Sequence, residues 1–159
     1  MHLMFPQRDL SYKIIAAAIE VHRNLGPGLL ESVYRLCMES ELRNHGLQFQ
    51  RELGIPLFYK ERELNQCFRL DFLVENEVVL ELKSVEVMLP VHNAQLLTYL
   101  KLTRKQIGLL INFNVPVLKD GVVVSLAELT LKRKRNRLTQ SLAEVQRRRG
   151  RPFLLKQIL

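Results

Sequence analysis

Phe68-Arg69-Leu70-Asp71-Phe72-Leu73-Val74-Glu75-Asn76-Glu77-Val78-Val79-Leu80-Glu81-Leu82-Lys83 is the stretch on which the fold turns. Apolar residues recur at every second position on both sides of Glu75-Asn76-Glu77, the period of strands with one buried face. Phe68, Leu70, Phe72 and Val74 make one apolar row, matched across the turn by Val78, Leu80 and Leu82. Arg69 and Asp71 point the other way, and Glu81 and Lys83 share that face. Pairing Val74 with Val78 keeps the apolar rows together, setting Asp71 opposite Glu81 and Arg69 opposite Lys83. Residues directly opposite have Cβ atoms about 4.5–5.5 Å apart, where like charges destabilise the pair. The simplest use for two such carboxylates is a divalent cation with Lys83 beside it. The solvated outer face of a hairpin would carry similar charges, and a D…ExK pattern arises by chance in many chains. The rest of the chain must decide.

At 159 residues and 47% hydrophobic, the chain has enough apolar mass for one core, and its length favours one domain. No apolar run reaches 18 residues, and Ile14 to Ile19 is closed by Glu20 with no cleavage pattern after it. The expectation is a soluble, cytoplasmic protein without a membrane partner. Cys37 and Cys67 make neither a disulfide framework nor a zinc ligand set, and both read as inert core residues.

The net charge of +8 is concentrated at one end. Residues 131–159 hold ten Lys and Arg against a single acid, Glu144, while the remainder carries fourteen basic and fifteen acidic side chains. Such a block favours an anionic partner, nucleic acid first, because each neutralised phosphate releases counterions. A solvated charged helix and a protein-interaction segment are the other readings. Arg149-Gly150-Arg151-Pro152 resembles the core of an AT-hook, which lays Arg along a narrow A·T minor groove. Phe153-Leu154-Leu155 is too apolar for a simple hook, so general phosphate binding is favoured.

Around the central hairpin the pattern is mixed. Asp9 suits an N-cap for a helix to about Arg23, and Gly26-Pro27-Gly28 breaks it. A second helix runs from Leu29 to about His45, stopped by Gly46. Residues 47–60 read as extended, with a turn at Lys60-Glu61-Arg62. Pro90 opens a third helix to about Arg104, Ile107–Phe113 is a buried-looking strand, and a short strand or hairpin surrounds Asp120-Gly121. From Ser125 the pattern turns helical and basic. The expected organisation is an α/β domain over 1–127 and a basic tail over 128–159, helical or partly disordered.

Other polar residues could join the hairpin charges. Glu31 lies one turn into the second helix, with Tyr34 and Arg35 at i+3 and i+4, though an acid there also simply favours the helix dipole. Gln95 and Tyr99 share a face of the third helix, and His92 either joins the site or caps that helix. His22 and His45 read as ordinary helix histidines.

Gly28-Leu29-Leu30-Glu31-Ser32-Val33-Tyr34 matches the signature of the GxxExxY protein family, assigned to the PD-(D/E)XK nuclease superfamily. The likeness continues in order through Ala18-Ile19-Glu20-Val21-His22, Glu81-Leu82-Lys83-Ser84-Val85, the segment Val91 to Lys101 and Leu109 to Asn114. It spans roughly residues 9–124 and does not cover the tail. The Pro that often precedes the superfamily's Asp is Leu70 here. The resemblance implies a restriction-endonuclease-like central mixed sheet flanked by helices. It also implies Asp71 and Glu81/Lys83 on adjacent strands, an acid from the preceding helix in Glu31, and a Q-x-x-x-Y helix in Gln95 and Tyr99.

That implies a nuclease using Mg²⁺ or Mn²⁺, with Asp71, Glu81 and the Leu82 carbonyl as ligands and Glu31 on a second metal or a water. Lys83 would stabilise the phosphoryl group or orient the attacking water, while Gln95, Tyr99, Tyr34 and His92 would contact substrate. DNA is favoured over RNA as partner, and a homodimer is left open. The competing reading is a nuclease-fold module that binds nucleic acid or a partner without catalysis.

Overall fold

Helix α1 starts at Pro6, three residues ahead of Asp9, and runs to Leu25. Proline is pre-set for a first helical turn, and Asp9 then contributes as an acid near the positive end of the helix. The computed structural model describes residues 6–127. The chain divides into Met1–Ala127 and Glu128–Leu159, so the basic tail and its Arg149-Gly150-Arg151-Pro152 segment lie outside the described residues.

After α1 come α2 (Glu31–Asn44), β1 (Phe49–Tyr59), β2 (Arg62–Val74), β3 (Val78–Lys83) and α3 (Pro90–Thr103). They are followed by β4 (Ile107–Asn112), a 3-10 turn (Leu118–Gly121) and β5 (Val122–Leu126). The helical pattern expected from Ser125 begins too early, because Ser125 and Leu126 belong to β5, paired with Gly108 and Ile107. The five strands lie in sequence order in one sheet. β3 and β4 are parallel, and the other neighbours are antiparallel. Parallel neighbours need a long crossover, and α3 provides it. The result is an α/β fold with a mixed sheet flanked by helices, consistent with the restriction-endonuclease-like architecture.

Helices and strands enclose two cores. One joins Ile14, Ala17 and Val21 of α1 and Tyr34, Met38 and Leu42 of α2 to Phe72, Val74, Leu80, Leu82, Ile111 and Phe113. The other packs Leu96, Tyr99 and Leu100 of α3 against Ile55, Leu70, Leu73, Val79 and Leu110. β3 and β4 are therefore covered on both faces, which explains their near-continuous apolar sequences.

The row Phe68, Leu70, Phe72, Val74 does not stay on one face. Phe68 and Leu70 pack in the α3 core, whereas Phe72 and Val74 pack in the α1/α2 core. The change falls at Asp71. In the neighbouring strand, Glu52 has a left-handed φ of 49°, and the pairing passes from Arg51–Phe72 to Leu53–Leu70 without joining Glu52 to Asp71. Both strands are distorted at the same level.

β2 and β3 part there too. Their pairing runs Val74–Val78, Leu73–Val79 and Phe72–Leu80, the register that the apolar rows require. Beyond it, the Asp71 carboxylate accepts the Leu82 N–H at 2.8 Å. The expected Arg69–Lys83 opposition does not form. Arg69 pairs with Gly54 of β1 and its guanidinium lies 3.6 Å from Glu52, while Lys83 pairs with Asn112 of β4.

Candidate metal centre

A pinned loop leads into α2 and is tied to the end of β3. Gly26 and Gly28 take positive φ (66° and 95°), and Pro27 stiffens the turn between them. The Tyr34 hydroxyl donates to the Gly26 carbonyl at 2.6 Å and accepts the Leu29 N–H at 3.2 Å. Its ring stacks on Phe113 at 4.5 Å. Ser84, just past β3, donates to the Leu29 carbonyl at 2.6 Å. The Gly28-x-x-Glu31-x-x-Tyr34 spacing thus has a mechanical content: Tyr34 holds the loop, and the loop delivers Glu31 at the start of α2. Tyr34 is fully buried, with its hydroxyl engaged by the loop rather than turned to the surface.

Asn112 fixes the chain after Lys83. It donates to the Val85 carbonyl at 2.8 Å and accepts from the Val85 and Asn114 N–H groups at 3.1 and 3.2 Å. Sequence reading noticed Asn112 only as a break in an apolar strand. A buried amide with its bonds made is expensive to leave unpaired, which explains the residue.

Five charged side chains meet between these supports. Arg35 donates from Nε to Asp71 Oδ1 at 2.7 Å and from a terminal nitrogen to Glu31 Oε1 at 2.9 Å. Lys83 donates to Glu81 Oε1 at 2.9 Å. Side-chain exposure rises from 5% at Glu81 and 9% at Asp71 to 12% at Lys83, 23% at Arg35 and 36% at Glu31. The cluster therefore has a closed floor of two carboxylates and a rim on α2.

Glu81 Oε2 is buried and has no hydrogen-bond partner among the described residues. Burial, and then the charge of Asp71, push the Glu81 carboxyl up to about 7 against the pull of Lys83. Burial works against the Lys83 charge, yet the Glu81 hydrogen bond and the charges of Glu81, Glu31 and Asp71 hold it above its ordinary value. Lys83 is an ammonium at neutral pH.

On α3, Gln95 donates to the Tyr99 hydroxyl at 2.8 Å, and that hydroxyl donates to the Arg69 carbonyl at 3.3 Å. Burial, then the Glu81 charge, raise the Tyr99 phenol above its usual range. Tyr99 is buried in the α3 core, so it borders the floor of the cluster more than its entrance. His92 turns inward to its own helix: its Nδ1 accepts the Leu89 N–H at 3.1 Å, and its N–H donates to the Leu89 carbonyl at 3.0 Å.

Asp71 and Glu81 lie together on the floor of the cluster, with Glu31 apart from them on its rim. Among the described residues no three His, Cys, Asp or Glu side chains form a group able to hold a metal ion. Glu31 is linked to Asp71 through the Arg35 guanidinium. Asp71 and Glu81 nevertheless suit Mg²⁺ or Mn²⁺. Mg²⁺ takes hard oxygen ligands, one or two carboxylates suffice, and waters complete the shell. The unpartnered Glu81 oxygen is the feature a cation would satisfy. Arg35 is the group that sequence reading missed. Its i, i+4 relation to Glu31 was legible, but its bond to Asp71 spans 36 positions.

Among the described residues no helix is long and apolar enough to cross a membrane, and Cys37 is a partly buried free thiol beside the α1/α2 core. Comparison with known proteins gives one family match, the PD-(D/E)XK nuclease superfamily over residues 8–124. No curated protein and no solved structure matches.

Proposed function

Because this chain belongs to the PD-(D/E)XK nuclease superfamily, we propose that it is a divalent-metal-dependent nuclease that hydrolyses phosphodiester bonds of DNA. The observation that carries the reading is the unpartnered, buried Glu81 oxygen next to Asp71. A buried carboxylate oxygen without a donor is costly, and a bound cation removes the cost. Asp71 and Glu81 would hold Mg²⁺ or Mn²⁺, with the Leu82 carbonyl and Glu31 as further oxygen donors. When bound, the metal supplies charge neutralisation on the phosphoryl oxygens and a lowered pKa for water.

The chain's own residues do the rest. The Leu82 N–H orients Asp71. Lys83, kept protonated by its neighbours, donates to a non-bridging phosphoryl oxygen or to the attacking water and does not remove a proton. Gln95 and Tyr99 position groups at the α3 side of the floor through their shared hydrogen bond. Tyr34 and His92 contribute by fixing α2 and α3. Residues 1–127 form the nuclease domain, and the basic 128–159 segment grips the phosphate backbone.

The test is cleavage of labelled DNA and RNA oligomers in Mn²⁺ or Mg²⁺ by the full chain and by Lys83→Ala. DNA cleavage that needs metal and disappears in Lys83→Ala supports the reading. Equal rates in the two proteins contradict the role of Lys83, and metal-dependent cutting of RNA alone reassigns the substrate. The hold of Arg35 on Asp71 favours one alternative, a nuclease-fold module that binds nucleic acid without cutting it. Binding with no turnover in any divalent metal selects it.

A further inference from the structure

Arg35 has no part in the metal chemistry outlined above, yet it is bonded to two of the carboxylates assigned to that chemistry. Both Asp71 oxygens are engaged: Oδ2 accepts the Leu82 N–H at 2.8 Å, and Oδ1 accepts Arg35 Nε at 2.7 Å, where a cation would have to compete with it. The same guanidinium spans to Glu31 Oε1 at 2.9 Å. A fork of fixed N–H groups satisfies two carboxylates at once, as a divalent ion would. Glu81 is held instead by Lys83 through Oε1, and its Oε2 has no partner among the described residues.

The two cations of the cluster differ in how they are held. Lys83 lies on β3, is 12% exposed and donates to Glu81 two residues away on the same strand. Arg35 lies on α2, is 23% exposed and is bonded at i, i+4 to Glu31 on its own helix. If it lets go of Asp71, Arg35 can keep Glu31 or swing toward solvent without disturbing a strand. Lys83 has no such exit.

We propose that Arg35 is a built-in counter-cation that neutralises Asp71 and Glu31 in the metal-free protein and competes with the divalent ion for them. Metal loading then requires Arg35 to leave Asp71, and the affinity of the site is set by that exchange. Like charges on shared ligands exclude one another, and in a partly desolvated cluster the exclusion is strong. The displaced guanidinium remains at the rim beside Glu31, where a phosphate group is its natural partner. The inference rests on the reading of Asp71 and Glu81 as a metal centre.

The test is a Mn²⁺ titration of the full chain, followed by the paramagnetic resonance of free Mn²⁺ at constant pH and ionic strength. The proteins are wild type, Arg35→Met, Asp71→Asn and the double variant. Arg35→Met is expected to bind Mn²⁺ at least about tenfold more tightly than wild type, and adding Asp71→Asn is expected to abolish the gain. Loss of folding weakens a metal site, so a gain cannot come from damage. Where the Met variant does not fold, Arg35→Gln, neutral but still able to donate, is read in its place with the same expectation. Affinity unchanged or weaker on neutralising Arg35, with Asp71→Asn still impairing Mn²⁺ binding, overturns the counter-cation and leaves the metal centre standing. No Mn²⁺ binding at millimolar concentration in any of the proteins overturns both.

Discussion

The two ends of the β2–β3 hairpin use one alternating pattern for opposite purposes. At the turn, Val74–Val78, Leu73–Val79 and Phe72–Leu80 make regular ladder pairs whose side chains are buried in one or other core. Each large apolar side chain buried there contributes about 1.5–3 kcal/mol. At the far end the ladder stops and the chain buries Asp71, Glu81 and most of Lys83, with an acid oxygen left unbonded. One end stabilises the fold, and the other draws on that stability to keep charges close together. A site of this kind costs the fold something, and the closed end is what tolerates it.

The comparison breaks most sharply at Lys83. Lys83→Ala is expected to lower metal-dependent phosphodiester cleavage by about a thousandfold or more while circular dichroism stays native. Activity within tenfold of wild type would remove Lys83 from the chemistry. At the other end, Phe72→Ala is expected to cost about 3–5 kcal/mol in urea unfolding, since its ring packs edge-on to Phe49 at 5.5 Å. Asp71→Asn should cost far less, because the amide oxygen still accepts from Leu82.

Glu81 gives a pH test of the same contrast. Its carboxyl sits near 7 when folded and near 4.5 as an ordinary Glu, so between those values the folded state binds a proton that the unfolded state has lost. Stability of the metal-free protein therefore falls as pH rises from about 4.5 to about 7, by on the order of 3 kcal/mol from this group. Glu81→Gln should remove that slope and be the more stable protein at pH 8. A Glu81→Gln variant with the wild-type slope would mean that Glu81 is not held in a raised, proton-binding state. The smallest effect is expected at Tyr99→Phe, which removes the Gln95 and Arg69 hydrogen bonds. About 1 kcal/mol of stability should be lost, with a modest drop in turnover measured beside it.

Much of this arrangement could be read from the chain. Alternation around Glu75-Asn76-Glu77 gave the hairpin and the register from Val74–Val78, because a one-residue slip would turn every apolar side chain outward. Glu81 and Lys83 are two apart on one strand, so their contact is a local matter. The change of face at Asp71 was not legible: Leu70 and Phe72 are both apolar, and with cores on both sides of the sheet either face accepts them. Arg35 was hidden for a different reason. Its spacing to Glu31 is a helix rule, but its approach to Asp71 depends on how α2 docks on the sheet, and no periodicity reports that. Tyr34 was read only by its i+3 spacing from Glu31, whereas its hydroxyl is spent on the Gly26–Leu29 loop, a contact that helix spacing does not report.

The central claim is that Asp71 and Glu81 share a divalent cation. Its most direct test is an anomalous difference map from crystals of the protein grown or soaked in Mn²⁺. The account predicts a single strong peak bonded to an oxygen of Asp71 and to Glu81 Oε2. A map with no peak there, or with Mn²⁺ only on surface acids, would contradict it.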